Sequence, residues 1–218
     1  MAPWYGDEHT SQVVPYPSGL LSVDEIDELT VALHRNGVRR VLTPALAERD
    51  CAPFVAAGFA VHERLHLLRR GLRPPSPMGP RVGTRRARRS DLGDVLEVDH
   101  TAFEPFWRLG RDGIEEAVAA TPHSRFRVIG RPVRGYAICG CAARRGYIQR
   151  LAVHPDHQGT GLARRLLVDA LGWLERRRAA SVLVNTQIGN HRALALYERM
   201  GFTLQSEGLS VLVHVATT

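Results

Sequence analysis

The 218-residue sequence predicts a mixed α/β fold on three observations. A candidate strand, Tyr147 to Val153, runs into the glycine turn Gln158-Gly159-Thr160-Gly161-Leu162-Ala163 and then into a long amphipathic pattern. Extended and helical periodicities alternate along the rest of the chain. Arg73-Pro74-Pro75-Ser76-Pro77-Met78-Gly79-Pro80 cannot hold a helix or inner strand, because proline lacks an amide donor and restricts its neighbour. The expected organisation is an N-terminal segment over 1–72, a linker over 73–82 and a main domain over 83–218.

In the N-terminal segment, Asp24 to Asn36 and Asp50 to Ala57 read as helices, and Val38 to Leu42 and Phe59 to Leu68 as extended. Beyond the linker, Thr84 to Arg88 is a short strand. Ser90 is placed to cap a helix from Asp91 to about Thr101, and a second helix runs from Arg111 to Ala120. Strands follow at Arg125 to Ile129, Arg134 to Cys141 and Tyr147 to Val153, separated by turn residues. The helix from Gly161 to Arg178 ends in arginines, which complement its C-terminal dipole. Ser181 to Thr186 is a strand, Asn190 caps a helix to Met200, Gly201 breaks it, and Phe202 to Val215 holds the last two strands.

Gly58-Phe59 and Gly201-Phe202 stand 143 residues apart (201 − 58), and the same offset pairs Val41 with Val184, Thr43 with Thr186 and Phe54 with Tyr197. Either the first segment is a degenerate half-copy of the second, or both follow a generic helix-strand succession.

The glycine turn has the character of a phosphate cradle. Gly159 and Gly161 allow close backbone approach, and the first-turn amides and dipole of the following helix favour negative charge. A pyrophosphate is the expected anion.

The run Tyr147 to Leu167 resembles motif A of the GCN5-related N-acetyltransferase (GNAT) family, with Gln158, Gly161 and Ala163 at its fixed positions. Asn190 to Phe202 is similar to the second half of that family, with its Asn, Ala, Leu-Tyr and Gly-Phe in order, and the pair looks most like the ribosomal-protein alanine acetyltransferase type. The resemblance spans about residues 83 to 215. It implies a GNAT fold, a central mixed and mostly antiparallel sheet flanked by helices, preceded by a partial GNAT-like segment. It also implies acetyl-CoA as cofactor and transfer of acetyl to a primary amine by direct attack in a ternary complex. The acceptor could be a protein N-terminus, a side-chain amine or a small molecule.

By the same resemblance, Leu151, Ala152 and Val153 would bind the pantetheine arm as an added strand. Gln158, Gly159, Thr160, Gly161, Leu162, Ala163 and Arg164 would hold the pyrophosphate, and Asn190 would both cap its helix and contact the pantetheine. Tyr197 would contact the cofactor and be the general acid for the departing thiolate; the alternative, from its place beside Ala193, Leu194 and Leu196, is a core aromatic. Phe103, Phe106 and Trp107 would wall the acceptor cleft. Where the alanine acetyltransferases carry a glutamate base, this chain has Asn185. Glu104 is the candidate base, with His123, Asp99, His100 or a water relay past Gln149 as alternatives. Without a strong base, either an acceptor of low pKa is favoured, because an α-amine has a far larger neutral fraction at pH 7 than a lysine amine, or the chain belongs to a different subgroup altogether.

All 29 basic residues are arginine, and the net charge is +7. A codon bias toward arginine is the preferred explanation, and the basic balance also suits an acidic cofactor such as coenzyme A, which it would steer inward. Arg85-Arg86 and Arg88-Arg89 lack interleaved aromatics, so a solvated edge strand is preferred to a nucleic-acid surface. Cys51, Cys139 and Cys141 lack metal-ligand spacing, and Pro155 breaks any helix between His154 and His157, so no metal site is expected. No signal or membrane segment is visible, and a cytoplasmic monomer or homodimer is expected. A catalytically inactive acyl-CoA-binding regulator, a nucleic-acid-binding module and an enzyme using a longer acyl donor stay open as alternatives.

Overall fold

A computed structural model describes residues 3–4, 7–13, 21–72 and 83–216; the expected linker lies outside them. In chain order the elements are β1 (Pro3–Trp4), β2 (Asp7–Gln12), α1 (Val23–Arg35), β3 (Arg40–Leu42), β4 (Leu46–Ala47), α2 (Glu48–Ala56), β5 (Ala60–Gly71), β6 (Thr84–Arg86), α3 (Leu92–Ala102), α4 (Arg111–Ala119), β7 (His123–Ile129), β8 (Gly135–Ala142), β9 (Arg145–Val153), α5 (Leu162–Arg176), β10 (Ser181–Gln187), α6 (His191–Arg199), β11 (Thr203–Leu204) and β12 (Leu209–Val215). Short 3-10 turns cover Arg89–Asp91, Pro105–Trp107 and Pro155–His157. The predicted mixed α/β architecture is present.

Two compact units divide the described residues. One gathers those up to Leu67 with Asn185–Leu194 and those from Leu204 onward; the other comprises Leu68–Val184 and Ala195–Thr203. The chain beyond the linker position therefore contributes to both.

In the first unit β2 runs parallel to β3, and β12 lies antiparallel between β3 and β4 on one edge and β5 on the other. The core beneath it joins Ile26 and Leu33 of α1, Val41, Phe54, Phe59 and Leu212. The C-terminal strand thus completes the sheet of the N-terminal segment. The sequence expectation missed β2, because its polar run Thr10-Ser11-Gln12 offers no apolar alternation.

Local geometry repeats at the offset noted above. Shifting α2 by 143 residues (48 to 191, 56 to 199) lands it on α6. The closing bonds repeat as well: Phe59 N–H donates to Phe54 O at 3.0 Å, and Phe202 N–H to Tyr197 O at 3.0 Å. Gly58 (φ 82°) and Gly201 (φ 78°) take the same left-handed turn, where a side chain would be strained.

In the second unit β6, β7, β8 and β9 form an antiparallel sheet, and β10 joins β9 in parallel. The helix α5 covers one face, its Leu166 packed with Ile129, Ala137 and Val153. On the opposite face Asp99 of α3 reaches Tyr136 and Arg150. Cys139 and Cys141 are buried and free, and burial pushes the Cys139 thiol up to about 12. Ser90 does not cap α3. A 3-10 turn intervenes, and the Asp91 carboxylate instead accepts from Arg88 N–H at 2.7 Å and from both Arg85 guanidinium nitrogens at 2.6 Å.

Candidate active site

The pairing of β10 with β9 runs from Ser181–Arg145 to Leu183–Tyr147, while β9 continues to Val153. The two strands therefore splay, leaving the edge of Leu151, Ala152 and Val153 beyond the ladder. On its other edge β9 stays paired to β8, with one irregularity: Ile138 faces Arg150 and Cys139 faces Ile148, so Gln149 is a bulge. Gln149 Oε1 is buried without a hydrogen-bond partner.

Past Val153 the chain turns through Pro155–His157 into the glycine run. Gln158 Nε2 donates to Val153 O at 3.1 Å, tying the loop to the strand end, and Thr160 Oγ1 donates to His157 O at 2.6 Å. Gly159 (φ 79°) and Gly161 (φ 83°) have left-handed backbones, and a Cβ on either would meet nothing within 4 Å, so the loop faces open space. Gly161 is the N-cap of α5, which has no side-chain cap and no acidic residue in its first turn. The orphan amides of that turn are thus available to an outside acceptor.

The contrast with α1 is direct. There Ser22 accepts from Glu25 N–H, and the Glu25 carboxylate accepts from Ser22 N–H at 2.8 Å. These bonds lower the pKa of Glu25, a carboxylate standing at that helix start. One helix N-terminus is closed by its own chain, and the other is open.

Tyr197 on α6 lies in the same compact unit as this glycine turn. It is 5% exposed, its ring is 5.6 Å from that of Phe202, and burial raises its pKa far above the ordinary phenol value. Asn190 belongs to the other unit, where its Oδ1 accepts from Ala193 N–H at 3.0 Å as a helix cap, and Asn185 lies there too, exposed. Glu104 and His123 are exposed. Phe103, Phe106 and Trp107 are half-buried, the last two edge-to-face at 5.0 Å.

Asp99, one of the alternative bases offered by the sequence, is committed elsewhere. It is fully buried, and its carboxylate accepts from Arg150 Nε (2.8 Å) and Nη2 (2.9 Å), Leu109 N–H (2.7 Å) and the Tyr136 hydroxyl. With every lone pair engaged it cannot serve as a general base. Burial raises the Tyr136 pKa, keeping it a neutral donor. The sequence marks the two positions without joining them: an arginine just before the apolar Leu151-Ala152-Val153 of β9, and an aspartate one turn after Val95 on α3.

Residues 98–202 match the family model described as the acetyltransferase (GNAT) family. An N-alpha-acetyltransferase 30 of Schizosaccharomyces pombe is 36% identical over 58 residues, 27% of this chain and 39% of that protein. The [ribosomal protein bS18]-alanine N-acetyltransferase of Escherichia coli is 42% identical over 52 residues, 24% of this chain and 35% of that protein. Among solved structures, a tandem GNAT protein from the clavulanic acid biosynthesis pathway superposes with a TM-score of 0.65 at 14% identity, covering 89% of this chain and 70% of that one. Residues 98–202, just under half of the chain, are thus similar to the GNAT acetyltransferase family. The chain matches well under half the length of the two curated relatives named.

Proposed function

We propose that this protein is an acetyl-CoA-dependent N-acetyltransferase acting on a primary amine, with its cofactor-handling residues within 83–218 and a degenerate, non-binding half-copy before them. The observation that carries this reading is the uncapped start of α5 behind a left-handed glycine turn, directly after the splayed end of β9. Acetyl-CoA held there would supply an activated acyl group and a thiolate leaving group. Gly159 to Arg164 would cradle its pyrophosphate, and the main chain of Leu151 to Val153 would bind its pantetheine arm. Tyr197, kept neutral by burial, would present its hydroxyl proton to the sulfur, whose own affinity for a proton rises in the same dry surroundings.

The lack of a glutamate at Asn185 favours an α-amine, such as a protein N-terminus, and a water relay past the unpartnered Gln149 oxygen would remove the proton. Glu104, exposed beside the aromatic residues, is the second candidate for that step. Unfolding with and without acetyl-CoA tests the reading. At about a hundred times its dissociation constant the ligand stabilises by about 2.7 kcal/mol, a midpoint shift of roughly 5–10 °C. The shift should vanish in Gly161→Glu. No shift in the parent protein refutes cofactor binding, and a shift without turnover of any amine identifies an acyl-CoA-binding regulator instead.

A further inference from the structure

The loop from Phe103 to Leu109 is fastened at several points to one buried ion pair. At its start, Phe103 N–H closes the last turn of α3 on the main-chain carbonyl of Asp99 at 3.1 Å. At its end, Leu109 N–H donates to Asp99 Oδ1 at 2.7 Å. Between them, Arg150 Nη2 donates to Trp107 O at 2.6 Å while the guanidinium lies 3.5 Å from the Phe103 ring centroid. Arg150 therefore does four things with one planar fork: it pairs with Asp99 twice, holds a loop carbonyl and stacks on a loop aromatic. Lysine could not reproduce this, because it has no fork and no flat face.

Arg150 also stands on β9, one residue after the bulge and one before the open edge of Leu151 to Val153. A buried ion pair on its own is weak evidence of purpose, since apolar replacements are often as stable. Here the pair links two elements with different tasks, the strand that would carry the acyl donor and the aromatic loop that would meet the amine.

We propose that Arg150 is a positioning residue for the amine acceptor, clamping the 103–109 loop to the cofactor strand so that acceptor affinity is set separately from acetyl-CoA affinity. This rests on the transferase reading above. Losing the clamp frees the loop and leaves the cradle of α5 untouched. The acceptor then binds less well, with little change in the rate once it is bound.

The test compares the parent with Arg150→Met, Arg150→Lys and the double variant Asp99→Asn/Arg150→Met, which avoids an unpaired buried carboxylate should the single change fail to fold. Hydrogen exchange followed by mass spectrometry should speed up at least tenfold over 103–110 and stay unchanged over 162–176. With a panel of hexapeptides bearing free N-terminal alanine, serine or methionine, acceptor KM should rise at least tenfold, while kcat and the acetyl-CoA dissociation constant stay within twofold. Arg150→Lys should fall between parent and Arg150→Met. Unchanged exchange over 103–110, or acetyl-CoA affinity falling in step with acceptor affinity, overturns the clamp. A parent that binds acetyl-CoA but acetylates no peptide overturns the acceptor role, and a parent that does not bind acetyl-CoA defeats the transferase reading itself.

Discussion

The open start of α5 can be closed with the device α1 already uses. Its N3 position is Arg164, counting from the N-cap Gly161, and the equivalent position in α1 is Glu25, whose carboxylate caps the chain. Arg164→Glu therefore replaces a cation at the positive end of the helix dipole with an anion, and should stabilise the ligand-free protein by about 0.5–1 kcal/mol. At a few degrees per kcal/mol that raises the unfolding midpoint by roughly 1–4 °C. The same carboxylate competes for the first-turn amides and repels a pyrophosphate. Losing one charge-assisted hydrogen bond, about 1.5–3 kcal/mol, weakens acetyl-CoA by roughly 10- to 100-fold. Titration calorimetry with acetyl-CoA and scanning calorimetry without it read the two effects. They must have opposite signs. Arg164→Gln, which removes charge without adding a competitor, should cost less than about fivefold in affinity. Unchanged affinity in Arg164→Glu would refute the assignment of these amides to the cofactor.

Tyr197→Phe should keep acetyl-CoA affinity and lower kcat by about a hundredfold or more, measured by thiol release; full turnover would remove the acid role. A fragment of residues 83–218 should fail to fold by circular dichroism, because β12 would lose β3, β4 and β5 on both its edges; a cooperative transition would contradict this. The Arg85 guanidinium beside Asp91 holds its pKa near about 2, below the ordinary carboxylate value. Stabilisation from that pair is complete above the unfolded-state pKa near 4 and is lost as pH falls toward 2, a difference of about 2 kcal/mol. Asp91→Asn should flatten the acid limb of the stability curve by that amount; an unchanged limb would place the pH dependence elsewhere.

What could be read from the sequence was local. The left-handed glycine turn before α5, the capping Asn190 and the left-handed Gly201 are each written in a handful of consecutive residues, and backbone sterics with one side-chain hydrogen bond fix their geometry. Helix and strand centres followed from periodicity, and their ends shifted by up to three residues, as with α5 ending at Arg176 rather than Arg178 and β5 at Gly71 rather than Leu68. What could not be read was long-range. Asp99 and Arg150 meet across 51 residues, and only the fold brings them together. The placement of β12 beside β3 and β5 likewise depends on pairings that no local pattern encodes. The strand β2 was hidden for a different reason: its polar residues join the sheet through main-chain pairing with β3.

The most direct test of acetyl transfer is intact-mass analysis of the free-amine hexapeptide panel after incubation with the 218-residue protein and saturating acetyl-CoA. A mass gain of one acetyl group, abolished when acetyl-CoA is omitted and in Gly161→Glu, is the predicted result. Peptides and small amines left unacetylated by a protein that binds acetyl-CoA would contradict it.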